Sequence, residues 1–263
     1  MKDKLFKIGL FFSAFAILLI VAGMLYSLIT QSLPAFNHLG FFGFISSPDN
    51  ALPFITGTLA TATLALLIAF PFSFALALFI CGYYRDTKIA AWVNNIVNLC
   101  AVTPSIILGI AGYYLLHPLL ITFNTGTQGF GILTTSLILA IMIIPYSASL
   151  SCYLIKAPKN IKEGAYSLGA TTSEVIWKIS FPIVKKGIMA AHLLAFGKAL
   201  GETMIVLILM GNTGNTMASS IVNQFEVMNE LKISAIFATA LLLFLITAGV
   251  NLIARHIIRR TAF

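Results

Sequence analysis

The chain has 263 residues, of which 59% are hydrophobic and 9% charged, against about 25% charged in soluble domains. This composition excludes an ordinary soluble fold and marks an all-α integral membrane protein. Six spans of about 20 apolar residues would take up roughly half the length, leaving loops too short for a soluble enzymatic module, so residues 1–263 are expected to form a single transmembrane domain. The net charge of +8 comes from small basic groups set between long apolar runs. That is the pattern of the positive-inside rule and not of a nucleic-acid-binding patch. Cys81, Cys100 and Cys152 lie within or beside apolar runs, which favours core or boundary thiols over a disulfide framework or a metal site.

Spans are expected at residues 8–29, 53–80, 89–116, 130–151, 188–210 and 233–254. The first follows a basic start but its apolar run is too long for a secretion signal, so it is read as an uncleaved span. Fourteen of the sixteen basic residues, including Lys2, Lys4, Lys7, Arg85, Lys88, the lysines of residues 156–187, Arg255, Arg259 and Arg260, fall on one set of segments. Both termini and the 156–187 loop are therefore expected in the cytoplasm. The opposite loops hold Lys232 with Asp49, Glu226 and Glu230, and Lys198 lies inside the fifth span. Phe36, Phe41, Phe42 and Phe44, interspersed with Pro34, Gly40, Gly43 and Pro48, fit a short interfacial helix or an irregular loop with aromatic anchors equally well. Spans two, three and four contain Pro71, Pro104 and Pro145, each of which removes a backbone donor and bends its helix.

The 156–187 loop carries the signals of ordered structure. Pro158 can open a helix bearing Ile161, Ala165 and Leu168, and Gly169 can close it with a left-handed cap. Thr171 and Glu174 then have capping-box spacing, starting a second helix through Val175, Ile176 and Trp177 that is expected to stop before Pro182.

This stretch resembles the EAA loop of ABC importer permeases. Glu163, Gly164, Ala165, then Gly169, Ile179, Phe181 and Pro182 match that motif's spacing, with Gly164 in place of its second alanine and Phe181 in place of leucine. Gly197, Lys198, Ala199, Leu200, Gly201, Glu202, Thr203 and Met204, with Gly211 and Asn212 beyond, resemble the G-R-A-L-G-E-T-M…G-N signature of the phosphate-importer, PstC-type branch. Ala51, Leu52, Pro53 and Phe54 before Gly57, Thr58 and Leu59, and Thr103, Pro104 and Ser105, are similar as well. Lys198 stands where that pattern has arginine, which takes away a two-pronged guanidinium contact.

The resemblance implies a type I ABC importer permease fold of six transmembrane helices, with Glu163, Gly164, Ala165, Gly169, Ala170 and Thr171 on a helix that docks into a cytoplasmic ATPase. It implies as partners a second, homologous permease, an ATPase dimer and an extracytoplasmic phosphate-binding protein, in the cytoplasmic membrane. The chain has no G-x-x-x-x-G-K-[ST] stretch, so ATP is expected on the partner subunit, with no cofactor or metal on this one.

The residues themselves make Lys198 and Glu202 the sharpest feature. Each costs about 2.5–3.5 kcal/mol at a bilayer centre, and on a continuous helix they would lie one turn apart on one face. Two readings stay open: the pair neutralises itself, or Lys198 is a waypoint for an anion, with Glu202 and Thr203 beside it on the substrate pathway. Gly197 and Gly201 form a G-x-x-x-G suited to close helix contact, and His192 is read as a packed or interfacial residue. An anion entering against a negative-inside potential costs about 2.3 kcal/mol per charge per 100 mV, which favours a pump over a passive pore, and the resemblance implies that it is an ATP-driven importer of phosphate. The alternatives are another oxyanion (molybdate, sulfate, phosphonate) or an ion-coupled transporter or channel.

Overall fold

Backbone N–H and C=O groups have no water to bond in hydrocarbon, so a chain this apolar is left with helices as its building material. The computed structural model describes residues 2–46, 51–122, 131–210, 216–224 and 230–260, and no strand occurs among them. In chain order the helices are α1 (Lys2–Leu39), α2 (Phe41–Ser46), α3 (Leu52–Leu78), α4 (Lys88–Val102), α5 (Ser105–Thr122) and α6 (Ile132–Lys156). They continue with α7 (Lys159–Ser167), α8 (Thr172–Glu174), α9 (Phe181–Leu200), α10 (Met204–Met210), α11 (Met217–Gln224) and α12 (Glu230–Arg259). Two wide π-helical turns occur: Phe79–Tyr83 continues α3, and Val175–Ser180 joins α8 to α9 without a gap.

Among the described residues five helices are long and apolar enough to cross a bilayer. Residues 89–116, expected as one span, are instead two arms bent by 100°. Pro104 is the cause. The residue before a proline is driven out of the α region, and Thr103 has ψ 126°. Pro71 and Pro145, in contrast, remain inside α3 and α6. The fifth expected span, 188–210, is also interrupted: α9 ends at Leu200 and α10 begins at Met204. Pro182 does not end a helix. The passage from Thr172 to Leu200 is continuous, and the wide turn just before the proline absorbs the missing donor. Near the other end of the bundle, Gly40 (φ 71°) breaks α1 from α2. Phe44 is buried there with its ring 5.7 Å from that of Phe36, so the short-helix alternative is the one the fold adopts.

Small residues set how closely the helices approach. Thr61, Ala65, Ala69, Ser73 and Ala77 recur every four residues along α3 and are all buried, a small-xxx-small stripe that lets another backbone come close. Against it packs α6, whose Ser136 hydroxyl donates to the Thr61 carbonyl at 3.0 Å. Ala62, Ala65 and Ala69 share a central core with Ile138, Leu139, Met142 and Ile143 of α6, Ala195 and Leu200 of α9, and Ile205 and Leu209 of α10. A second cluster joins Ala77, Ile80, Val97, Ile155, Val184 and Ile188. Within it Cys81 and Cys152 are joined, with Cα atoms 5.5 Å apart, so two thiols expected as separate core groups are paired; Cys100 is free and exposed.

Candidate translocation and coupling sites

The polar part of the membrane domain is built where α9 gives way to α10. Lys198 lies in the last turn of α9 and is exposed, between the buried Gly197 and Ala199. Gly201, Glu202 and Thr203 are not helical, so Lys198 and Glu202 do not share a helix face, contrary to the expectation from their spacing. The Glu202 carboxylate turns instead to the start of α10, where Oε1 accepts from the Met204 amide at 3.2 Å and the Ile205 amide at 3.5 Å. The Thr203 carbonyl accepts from Leu207 N–H. A carboxylate at a helix N-terminus meets otherwise unpaired donors and the positive end of the helix dipole. The sequence contained this signal as Glu202–Thr203 before an apolar run, but the continuous hydrophobicity on both sides concealed the break.

Among the described residues the ion pairs are Arg85–Asp86, Lys159–Glu163 and Lys178–Glu174, and Lys198 belongs to none. Its ammonium sits instead over the ring of Tyr146 on α6, 5.2 Å from the centroid. The self-neutralising reading of Lys198 and Glu202 is therefore not the arrangement seen. Glu202 also lines a water-sized cavity with Thr58, Thr61, Leu139, Val206 and Thr216. Thr58 fixes that wall: its hydroxyl donates to the Phe54 carbonyl and accepts from Met217 N–H, tying α3 to the start of α11.

Gly197 faces α12 so closely that a Cβ there would overlap the Asn251 amide, whereas Gly201 is exposed with only carbonyl oxygens of α9 at 3.8 and 3.9 Å. The two glycines thus do not form one packing face within this chain. His192 is buried, 2.9 Å from the Ser73 hydroxyl, with its ring tilted against that of Phe70 at 4.5 Å between centroids. Because Nδ1 faces the Ile188 carbonyl at 2.8 Å, it must carry the proton there, leaving Nε2 to accept from Ser73.

In the 156–187 loop, local turn chemistry determines the shape. Gly169 has φ 85°, Gly169 N–H donates to Tyr166 O, and Ala170 N–H reaches back to Ala165 O at 3.1 Å, the paired bonds of a left-handed helix cap. Thr171 and Glu174 form the reciprocal capping box read from their spacing. Glu163, Gly164, Gly169 and Thr171 are exposed, while Ala165 and Ala170 are half-buried. Leu168 is 90% exposed, and Ile161 and Tyr166 are exposed as well, an apolar rim that no other described residue covers. Lys162, by contrast, is buried. It is 5% exposed, and its ammonium donates to the Ile155 carbonyl at the end of α6. Neither Tyr146 nor Lys162 was marked by any sequence pattern, since both act through contacts made only in the fold.

Residues 70–263, which include the loop, the break after Leu200 and α12, match the family of binding-protein-dependent transport system inner membrane components. The chain belongs to this family. It is 34% identical to the phosphate transport system permease protein PstC of Pasteurella multocida, over 98% of this chain and 92% of the relative. With the protein of the same name from Mesorhizobium japonicum it shares 32% identity over 99% and 91% of the two chains. Two solved structures share the fold. A chain of the MetNI methionine ABC transporter in inward-facing conformations matches with a TM-score of 0.61 at 18% identity, covering 80% of this chain and 96% of that one. A chain of a bacterial alginate ABC transporter, in complex with an alginate pentasaccharide-bound periplasmic protein, matches with a TM-score of 0.62 at 20% identity, covering 94% of each. The fold is thus that of a type I ABC importer permease, and the protein is a multi-pass transport component of the membrane. Gly211 and Asn212 of the expected signature lie outside the described residues.

Proposed function

We propose that this chain is a permease subunit of an ATP-driven importer that carries inorganic phosphate across the cytoplasmic membrane. The observation that carries the reading is Lys198: a cation in the interrupted fifth span, exposed on an open face and paired with no carboxylate among the described residues. A lone cation at membrane depth is expensive unless an aqueous path or an anion meets it. Full-length similarity to permeases named for phosphate transport supports phosphate as that anion. A second permease would complete the path against the open face of Lys198. The exposed Ile161, Tyr166 and Leu168 of the α7 region would dock on an ATPase dimer, and a binding protein would deliver phosphate from outside. The basic residues that flank the spans support a cytoplasmic position for both termini.

The deciding experiment reconstitutes the full transporter in vesicles and follows phosphate uptake against molybdate, sulfate and phosphonate. Lys198→Gln should abolish uptake at normal membrane levels, because a neutral amide cannot offset the desolvation of an anion. Adding Glu202→Gln should not restore it, since Glu202 caps α10 and does not pair with Lys198. Recovery in the double variant would exclude Lys198 as a waypoint.

A further inference from the structure

A lysine ammonium ends a flexible four-carbon stem and has none of the planar, fork-like preorganisation of arginine. To present its charge at one point in a pathway it needs an outside surface. A carboxylate would hold it but also neutralise it, and the nearby carboxylate of Glu202 is engaged with the Met204 and Ile205 amides. The surface in contact with it is aromatic: the Tyr146 ring, 5.2 Å from Lys198 Nζ, inside the roughly 6 Å reach of a cation–π contact.

We propose that Tyr146 is the positioning residue of the anion pathway, its ring holding the Lys198 ammonium at one point while leaving the positive charge available to phosphate. The proposal rests on the reading of Lys198 as an anion waypoint. Three observations support it. Tyr146 follows the buried Pro145 on α6 and packs against the central core, so the ring is fixed by its surroundings and does not follow the lysine. The ring is half-buried and the lysine exposed, which puts the cation between a rigid wall and open space. The face of an aromatic ring is electron-rich, so it attracts the ammonium and repels an oxyanion. Phosphate is then kept off the wall and directed to the open side of Lys198.

The test uses the full transporter in vesicles and reads phosphate carried per ATP hydrolysed, a ratio that a merely structural role would not move selectively. Tyr146→Phe keeps the ring and should transport nearly as the parent does. Tyr146→Leu removes it and should lower phosphate per ATP roughly tenfold, the scale of a partly desolvated cation–π contact, with binding-protein-stimulated hydrolysis retained. Mono-, di- and trifluorophenylalanine at position 146 keep the ring's shape while draining its π density, so the ratio should fall stepwise along the series. Should the leucine variant fail to assemble, this near-isosteric series decides alone. A flat response across it overturns the proposal, as does a leucine variant that matches the phenylalanine one. The two readings fail differently. Loss of uptake in Lys198→Gln with a flat fluorine series keeps the waypoint and removes Tyr146, whereas normal uptake in Lys198→Gln removes the waypoint and with it any role for the ring.

Discussion

The ammonium of Lys162 on α7 donates to the main-chain carbonyl of Ile155, at the C-terminal end of α6. That carbonyl is among the last four of its helix, which have no partner within the helix, and a cation there also meets the negative end of the helix dipole. The contact secures the short loop helix to the long membrane helix that carries Tyr146.

Replacing Lys162 separates the value of the bond from the cost of the buried charge. Lys162→Met keeps the apolar stem, loses a charged hydrogen bond of about 1.5–3 kcal/mol and also relieves the desolvation of an ammonium, so the two changes should nearly cancel. Lys162→Glu sets a carboxylate against a carbonyl and should cost about 3 kcal/mol or more. Hydrogen exchange of the α7 amides in reconstituted membranes measures both. Strong deprotection by methionine, or none by glutamate, would contradict the assignment.

The same residue gives the loop a pH dependence of definite sign. Burial, with the Arg85 charge adding to it, pushes the Lys162 ammonium below its ordinary 10.5. With the folded value below the unfolded one, the penalty is complete while both states are protonated. It is relieved as pH rises from the lowered value toward 10.5. After correction for intrinsic exchange, α7 protection should therefore grow as pH rises from the lowered value toward 10.5, and Lys162→Met should abolish that trend.

At Gly169 the backbone has φ 85°, a conformation that costs an L-residue about 1–2 kcal/mol and a β-branched one more. Gly169→Val should unseat the turn between α7 and α8, lowering transport per ATP while leaving the spans inserted. Thr171→Ala, which loses the capping box, should do the same more mildly, by about 1 kcal/mol. Full uptake in Gly169→Val would contradict a coupling role for residues 163–172.

Gly197 and Gly201 should respond unequally to the same small change. Alanine at 197 meets the Asn251 amide and should destabilise the α9–α12 contact by about 1–3 kcal/mol. Alanine at 201 meets only atoms in ordinary contact and should leave the isolated subunit unaffected. Thermal unfolding of the two variants in detergent checks this. If Gly201→Ala instead blocks assembly with a second permease, its exposed face is part of that interface.

Structure written in local backbone chemistry was readable in advance. Gly169 and the Thr171–Glu174 pair each fix their own turn, whatever surrounds them, and five of the long apolar runs hold helices long enough to span a bilayer among the described residues. What escaped was decided by tertiary context. The run 188–210 is apolar on both sides of Gly201, and that continuity hid the signal of Glu202–Thr203 before an apolar run, so the break and the cap of the next helix went unread. Pro104 was seen as a bend, but its 100° extent depends on where the packing carries α5. Pro182 has the usual signature of a stop, and the wide turn before it overrode that signal. Tyr146 and Lys162 lie on helices whose periodicity says nothing about which cation or carbonyl they will meet.

The wide turn at Val175–Ser180 also sets the direction in which Lys198 points. A regular helix advances about 100° per residue, whereas a turn closed by i→i+5 bonds takes in about one residue more than an ordinary turn. The shaft from Thr172 to Leu200 thus holds a spare residue near its base. Deleting one residue within 175–180 lets the turn tighten to ordinary α geometry, with the loop below and Lys198 above keeping their mutual orientation. The same deletion within 183–197 has no slack to draw on and swings Lys198 by about 100° off the Tyr146 ring. Compass bearing in the membrane is thus determined at the loop end of the helix, well away from the charge it aims.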